Sequence, residues 1–361
     1  MTLRWDPCVV QDALDFDGFL AGYIDRSERR CLLIGGAGFD PRATLVPQQF
    51  SRLRECQLEG VFFREERILD QPLLRPCADT NEASVRKLIP KSTFPKVEIF
   101  SDGVTAVGGR RAVEAISTLN YSSYTDIFVD ISALSCGVFF SVVSFLVGLC
   151  VKNKGSSLNL HLLTAEQPQF DQNIRGVPAD TAAMLHGFKG VRSLDGSESL
   201  ALLWIPTLSL GNRDSLAKIY QFIQRTDTPI DVCPIVPFPG VDPRLPDRLV
   251  EEYREHLATW RVDHRNFLYA AESDPLDSYR AISSLYATRD GIFRNLGGSQ
   301  VVLSPLGNKM LSVGAMLAAI EKGLPVAMVE SIGYEECPTF KSECNESALK
   351  HVWLCGEAYL K

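Results

Sequence analysis

Apolar positions in this chain fall into short continuous runs, separated by polar turn signals and by stretches of helical period. Runs of four to eight apolar residues between turns mark strands covered on both faces, as in a parallel α/β sheet. The clearest block spans residues 125–166. Residues 126–134 read as a buried strand, 135–151 as an apolar helix and 158–164 as another buried strand. The same order returns near the C-terminus, with strand 300–304, turn 305–309, helix 310–322 and strand 325–330. In these helices Phe139, Val143 and Leu146, and then Leu311 and Ala315, follow helical spacing and should face their sheets.

Similar units precede each block. Strands are expected at 31–34, 58–63 and 96–100, with helices over 43–55, 81–88 (capped by Asn81 or Thr80) and 110–119. A polar, proline-rich loop covers 70–79, and a helix over 10–23 lies in the leader. Later strands are expected at 200–205, 231–237, 266–271 and 351–355, and helices over 214–224, 245–260 and 276–295. Pro234 is awkward inside a central strand, and residues 179–185 can form a helical turn. Comparing halves, Leu32 matches Leu202, Val61 matches Ile235, Val97 matches Phe267, Val129 matches Leu303 and Leu160 matches Val326, at offsets of about 170 residues. The expected fold is therefore α/β, with two tandem Rossmann-like halves, mostly parallel sheets and an internal duplication. Its divisions are a leader at 1–30, a first domain at 31–166, a linker at 167–197 and a second domain at 198–361.

Composition narrows the classes. A length of 361 residues favours two domains over one core. With 45% apolar and 22% charged residues the chain reads as a soluble globular protein, and the net charge of −7 argues against an extended nucleic-acid surface. The most apolar stretch, 136–151, contains Ser141, Ser144 and Gly148 and reads as a core helix, so no membrane span is expected. The acidic N-terminus lacks the apolar core of a signal peptide. The ten cysteines show no CxxC pair, and Cys337 and Cys344 lack a zinc spacing. A reduced cytoplasmic protein without metal or cofactor is expected.

Candidate chemistry lies in loops after strands, where open parallel sheets bind ligands. In the first, Gly35, Gly36 and Gly38 permit close backbone approach, Asp40 can meet a ribose hydroxyl and Arg42 a phosphate. Pro41 stands where a dinucleotide fingerprint needs its third glycine, so NAD and FAD are not indicated. The plainer reading is a turn with Asp40 as cap and Pro41 as first helical residue. In the second loop, Asp130 ends a very apolar strand, and Ser132 and Ser135 supply hydroxyls, or else Asp130 and Ser135 are caps. In the third, Ser304, Gly307, Asn308 and Lys309 form an anion pocket at a helix N-terminus, or a glycine turn beside a solvated lysine. A fourth loop, 208–213, also ends on a basic residue, Arg213. The five histidines have no triad or metal spacing and read as surface or core residues.

The run SPLGNKMLSVGAMLAA, which holds Gly307, Asn308 and Lys309, resembles the glycine–lysine strand-to-helix turn of CARF-type Rossmann-like sensors from prokaryotic antiviral systems. The resemblance covers about thirty residues, and Asn308 replaces that family's usual threonine. It implies that these three residues contact nucleotide phosphates. The expected function is a non-catalytic nucleotide-binding sensor or scaffold subunit, with a bacterial antiviral defence system as its setting. Its partners would be a nucleotide-like or phosphate-bearing small molecule and another protein. The alternative is an enzyme acting on a nucleotide or sugar phosphate, with Asp40, Asp130 or Asp102 as the working carboxylate.

Overall fold

The computed structural model describes residues 3–69, 71–152, 158–167, 174–190, 201–224, 230–335 and 348–359. Residues 168–173 and 191–197 of the expected linker, the strand start at Leu200 and the loop carrying Cys337 and Cys344 lie outside the described residues. The chain divides into two compact units. The larger comprises Pro7–Gly176 and Ile332–Lys361, the smaller Met1–Asp6 and Val177–Ser331.

In chain order the strands are β1 (Val9–Asp12), β2 (Arg30–Gly36), β3 (Gln57–Glu66), β4 (Ser92–Thr93), β5 (Lys96–Glu98), β6 (Phe100–Ser101) and β7 (Thr105–Ala106). Then come β8 (Asp126–Asp130), β9 (Asn159–Glu166), β10 (Gly176–Pro178), β11 (Ala183–Met184), β12 (Ala201–Pro206) and β13 (Ile230–Val232). The last are β14 (Ile235–Pro237), β15 (Leu268–Ala270), β16 (Ser299–Ser304), β17 (Ala327–Met328), β18 (Ser331–Tyr334) and β19 (Ala348–Cys355).

The main sheet of the larger unit runs β1-β19-β9-β8-β2-β3-β4, with β5 also on β3. Its centre is parallel, Ile34 lying opposite both Val61 and Val129. β8 and β2 are buried almost throughout, so they need covers on both faces and read as continuous apolar runs. One cover is the helix Cys136–Lys152, whose Phe139, Val143 and Leu146 are fully buried as the spacing predicts. The opposite face packs under Phe16, Leu20 and Ile24.

In the smaller unit β12 lies between β16 and β13, all parallel. Single parallel bridges continue the sheet, Thr207 to Ile235 at β14 and Leu303 to Val326 before β17, and β14 pairs with β15. Pro234 interrupts the strand expected over 231–237, because proline cannot donate to the ladder, and β13 and β14 result. The order of parallel strands is the same in both units. Numbered by appearance, each runs fifth, fourth, first, second, third, with an antiparallel strand added at the fifth-strand edge (β19 on β9, β11 on β17).

Several local expectations change. The final strand, expected after the second half's elements, pairs antiparallel with β9 and β1 in the larger unit's sheet. Residues expected as leader are structural: Val9–Asp12 form the edge strand, and Trp5 is fully buried edge-on to Tyr279 in the smaller unit. The first of these moves the start of the expected helix to Ala13, and the helix runs to Phe19 and continues as a π-helical turn over Leu20–Ile24. Residues 183–184 form β11 rather than a helical turn. The helix expected from Asn81 starts at Leu74, since Pro76 is tolerated in a first turn. Asn81 is therefore inside the helix and caps nothing; its amide instead donates to the Gly38 and Asp40 carbonyls at 2.8 and 2.9 Å.

Candidate functional site

Each unit has one point where successive connections leave the sheet in opposite directions, between its first and fourth parallel strands. Ligands of open α/β sheets bind outside the carboxyl ends of strands at such a point. The structure brings the predicted loops together there in pairs. In the larger unit the loop after β2 meets the loop after β8. In the smaller unit the loop after β12 meets the loop after β16.

The larger unit's pair is packed tight. A Cβ on Gly36 would come within 2.6 Å of the Ala133 carbonyl oxygen, and one on Gly35 within 3.2 Å of the Phe62 ring. These glycines are needed for the contact between loop and strand itself. Arg42 is only 1% exposed and turns inward. Its Nε and Nη2 donate to Asp40 at 3.0 and 2.7 Å, and its Nη1 to the Ala165 carbonyl at 3.4 Å. Asp40 also accepts the Arg42 amide at 2.9 Å, with Pro41 beginning the turn Pro41–Thr44, so the capping reading describes this loop. Asp130 accepts the amide and hydroxyl of Ser132 at 3.0 and 2.5 Å, and Ser132 Oγ accepts the Ala165 amide at 2.8 Å. A buried carboxylate thereby joins the ends of β8 and β9. The Ser135 amide donates to Glu65 Oε1 at 2.9 Å, whose other oxygen pairs with Arg67 at 2.8 Å. Sequence reasoning missed Glu65, which places a negative charge at the start of the helix Cys136–Lys152.

The smaller unit's pair is arranged differently. Gly307 is exposed, has φ +84°, and a Cβ there would fall 2.3 Å from Ser209 Cβ, so this turn requires glycine. The loop after β12 is pinned by Tyr253, whose hydroxyl donates to the Ser209 carbonyl at 2.9 Å, and by Glu252, which accepts the Gly211 amide at 2.8 Å. Two helices start from these loops, Arg213–Ile223 and Lys309–Lys322, each with a basic first residue. Asn308 caps the second, its side-chain oxygen accepting the Met310 and Leu311 amides at 2.7 and 3.2 Å. Ser304 is buried below, accepting Trp204 Nε1 at 2.9 Å, and serves the core. A phosphate at this helix would lie outward of the Asn308 cap or displace it, with Lys309 beside it.

A second polar cluster lies at the opposite end of β8 and β9. Asp126, Asn159, His161 and His351 are all fully buried. Asp126 accepts Asn159 Nδ2 at 3.0 Å, Thr125 Oγ1 at 2.6 Å and Arg29 Nη1 at 3.4 Å, and faces His161 Nε2 at 3.4 Å. His161 Nδ1 is 2.9 Å from His351 Nε2, and His351 Nδ1 is 2.8 Å from the Gln11 amide. Arg29 also pairs with Glu357 at 3.1 Å. Proton counting orders the chain. A carboxylate only accepts, so His161 Nε2 carries the proton between it and Asp126, and Gln11 Oε1, also an acceptor, faces a proton on His351 Nδ1. Burial lowers the pKa of both histidines, well below the ordinary value for His351, where the His161 charge adds to it. For Asp126 burial acts upward, but hydrogen bonds from His161 and Thr125 and the Arg29 charge outweigh it and hold the carboxyl low. These two histidines were legible only as surface or core residues, and both are core. Their pairing was not, because they are 190 residues apart in sequence.

Among the described residues, no group of three His, Cys, Asp or Glu side chains is placed to hold a metal ion. No helix among them is long and apolar enough to cross a membrane. No protein-family model matches the chain, and no curated protein matches it.

Proposed function

We propose that this chain is a non-catalytic binding subunit made of two Rossmann-like halves derived from one duplicated unit. It takes a phosphate-bearing ligand of nucleotide size at the switch point of the smaller unit and passes the signal to a protein partner, as in the antiviral sensors its 304–319 run resembles. The observation that carries this reading is the close approach of the Ser209 and Gly307 loops, from which two helices start with basic first residues, Arg213 and Lys309. The shared order of parallel strands supports the duplication. The larger unit's equivalent crevice carries Glu65 at its helix start and commits Arg42 to Asp40, so the two sites are unequal.

The enzymatic alternative has less support. Asp40 is spent on Arg42, Asp130 on Ser132, and Asp102 occupies a left-handed turn at φ 53°. Native mass spectrometry of freshly purified protein tests the proposal. A retained nucleotide, lost on Lys309→Ala, is expected; a wild-type mass equal to the bare chain, together with no uptake from an added nucleotide panel, would refute it.

A further inference from the structure

Three loops of the smaller unit rise to one level beside the Gly307 turn. Pro206 lies opposite Ser304, so Ser209 and Gly307, each three residues further along, reach the same height and meet. On the other side Thr207 bridges Ile235 and the Leu208 amide donates to the Ile235 carbonyl at 2.9 Å, which brings Phe238 level with Leu210. Phe238 and Gly307 therefore stand on either side of the loop after β12, two strand spacings or about 10 Å apart. A ribose spans that order of distance between a phosphate and its base. Phe238 is 48% exposed although its loop is firmly held. Its amide donates to the Ala270 carbonyl at 2.8 Å, and the Glu272 amide to the Pro239 carbonyl at 2.9 Å. The buried Glu272 side chain accepts the Val241 amide at 3.0 Å, and a Cβ on Gly240 would fall 2.6 Å from its Oε2. Tyr269, 56% exposed on the edge strand β15, meets the Phe238 ring nearly edge-on at 6.2 Å.

We propose that Phe238 is the base-stacking platform of the crevice beside Gly307, so that the ligand is a purine nucleotide and not a sugar phosphate, an assignment that rests on the phosphate reading of that crevice. An aromatic ring kept for folding would be buried, whereas this one is held open on a fixed loop. An open ring face accepts any base, because every base has a π-face. The phosphate lies at Gly307 and Lys309, the ribose crosses the Ser209 loop, and the base lies on Phe238 with Tyr269 bracing that ring from the side. Phenylalanine offers no hydrogen bond, so adenine and guanine should stack alike. Pyrimidines, with less surface to bury, should bind more weakly.

Calorimetric titration of the full chain with AMP, GMP and ribose 5-phosphate tests this, for wild type, Phe238→Ala, Phe238→Tyr and Lys309→Ala. Phe238→Ala should weaken both nucleotides by about fivefold to a hundredfold and leave ribose 5-phosphate unchanged, and Phe238→Tyr should restore nucleotide binding. Lys309→Ala should weaken all three. In the wild type both nucleotides should bind more tightly than ribose 5-phosphate by a similar factor, a comparison that stands even if a variant fails to fold. Equal wild-type affinities for the three, or nucleotide binding untouched by Phe238→Ala, would overturn the platform and leave the phosphate site standing. A wild type that binds none of the three would remove the phosphate site, and the platform with it.

Discussion

Replacing Asp126 by Asn tests the electrostatic account of the larger unit's core. The carboxylate is fully buried and receives Asn159 and His161 at Oδ1, Thr125 and Arg29 at Oδ2. Asn keeps the shape but turns one of these oxygens into a donor, which then faces two donors. It also removes the charge that compensates Arg29, leaving that role to Glu357 alone. A hydrogen bond to a charged group contributes about 1.5–3 kcal/mol, and breaking a buried pair costs about 3–5 kcal/mol. We therefore expect Asp126→Asn to destabilise the larger unit by about 3–5 kcal/mol at neutral pH, with little salt dependence because the site is dry. Glu357→Gln is the control: its side chain is 37% exposed, and the loss should be about 1 kcal/mol or less. Urea unfolding followed by circular dichroism measures both. Equal losses for the two variants, or a loss under 1 kcal/mol for Asp126→Asn, would refute the reasoning.

The remaining predictions concern acid, a cap and a glycine. Because His161 and His351 have folded pKa values below the unfolded value of about 6.5, the unfolded chain takes up protons first as pH falls. Their contribution is complete above about pH 6.5 and is lost toward lower pH, by up to about 2.7 kcal/mol per pH unit for two protons, and Asp126 adds a further loss below about pH 3.8. A unit whose urea midpoint is flat from pH 7 to 5 would contradict this. Asn308→Ala should cost about 0.5–2 kcal/mol, since two helix amides lose their acceptor; an unchanged melting curve would show that the cap is replaceable. Gly36→Ala should cost about 1–3 kcal/mol, because its new methyl would meet the Ala133 backbone and not a movable side chain. A thermal shift near zero would mean that the two loops can separate freely.

Period and composition made the α/β class readable, because strands buried on both faces cannot hide their apolar runs. The helix Cys136–Lys152 and the mostly parallel pairing around β2 and β8 follow from that signal alone. What escaped were features set by partners distant in sequence. Val9–Asp12 is a strand only through its pairing with β19, the place of β19 is set by β9 across the chain, and Trp5 is anchored by Tyr279. Among site residues, the sequence located the loops but not the direction of their side chains. Arg42 could equally have faced solvent; only the buried position of Asp40 and the Ala165 carbonyl show why it turns inward. Glu65 was invisible for a related reason: it sits at the end of a strand and reaches a helix start 70 residues away.

The central claim is that the crevice beside Gly307 binds a phosphate-bearing ligand through Lys309. Titration calorimetry of the full chain against a panel of mono- and oligonucleotides, for wild type and Lys309→Ala, tests it most directly. Saturable wild-type binding is expected, which Lys309→Ala weakens by about 1.5–3 kcal/mol, roughly tenfold to a hundredfold, with the melting temperature unchanged. Equal affinity for both proteins, or no binding to the wild type, would contradict it.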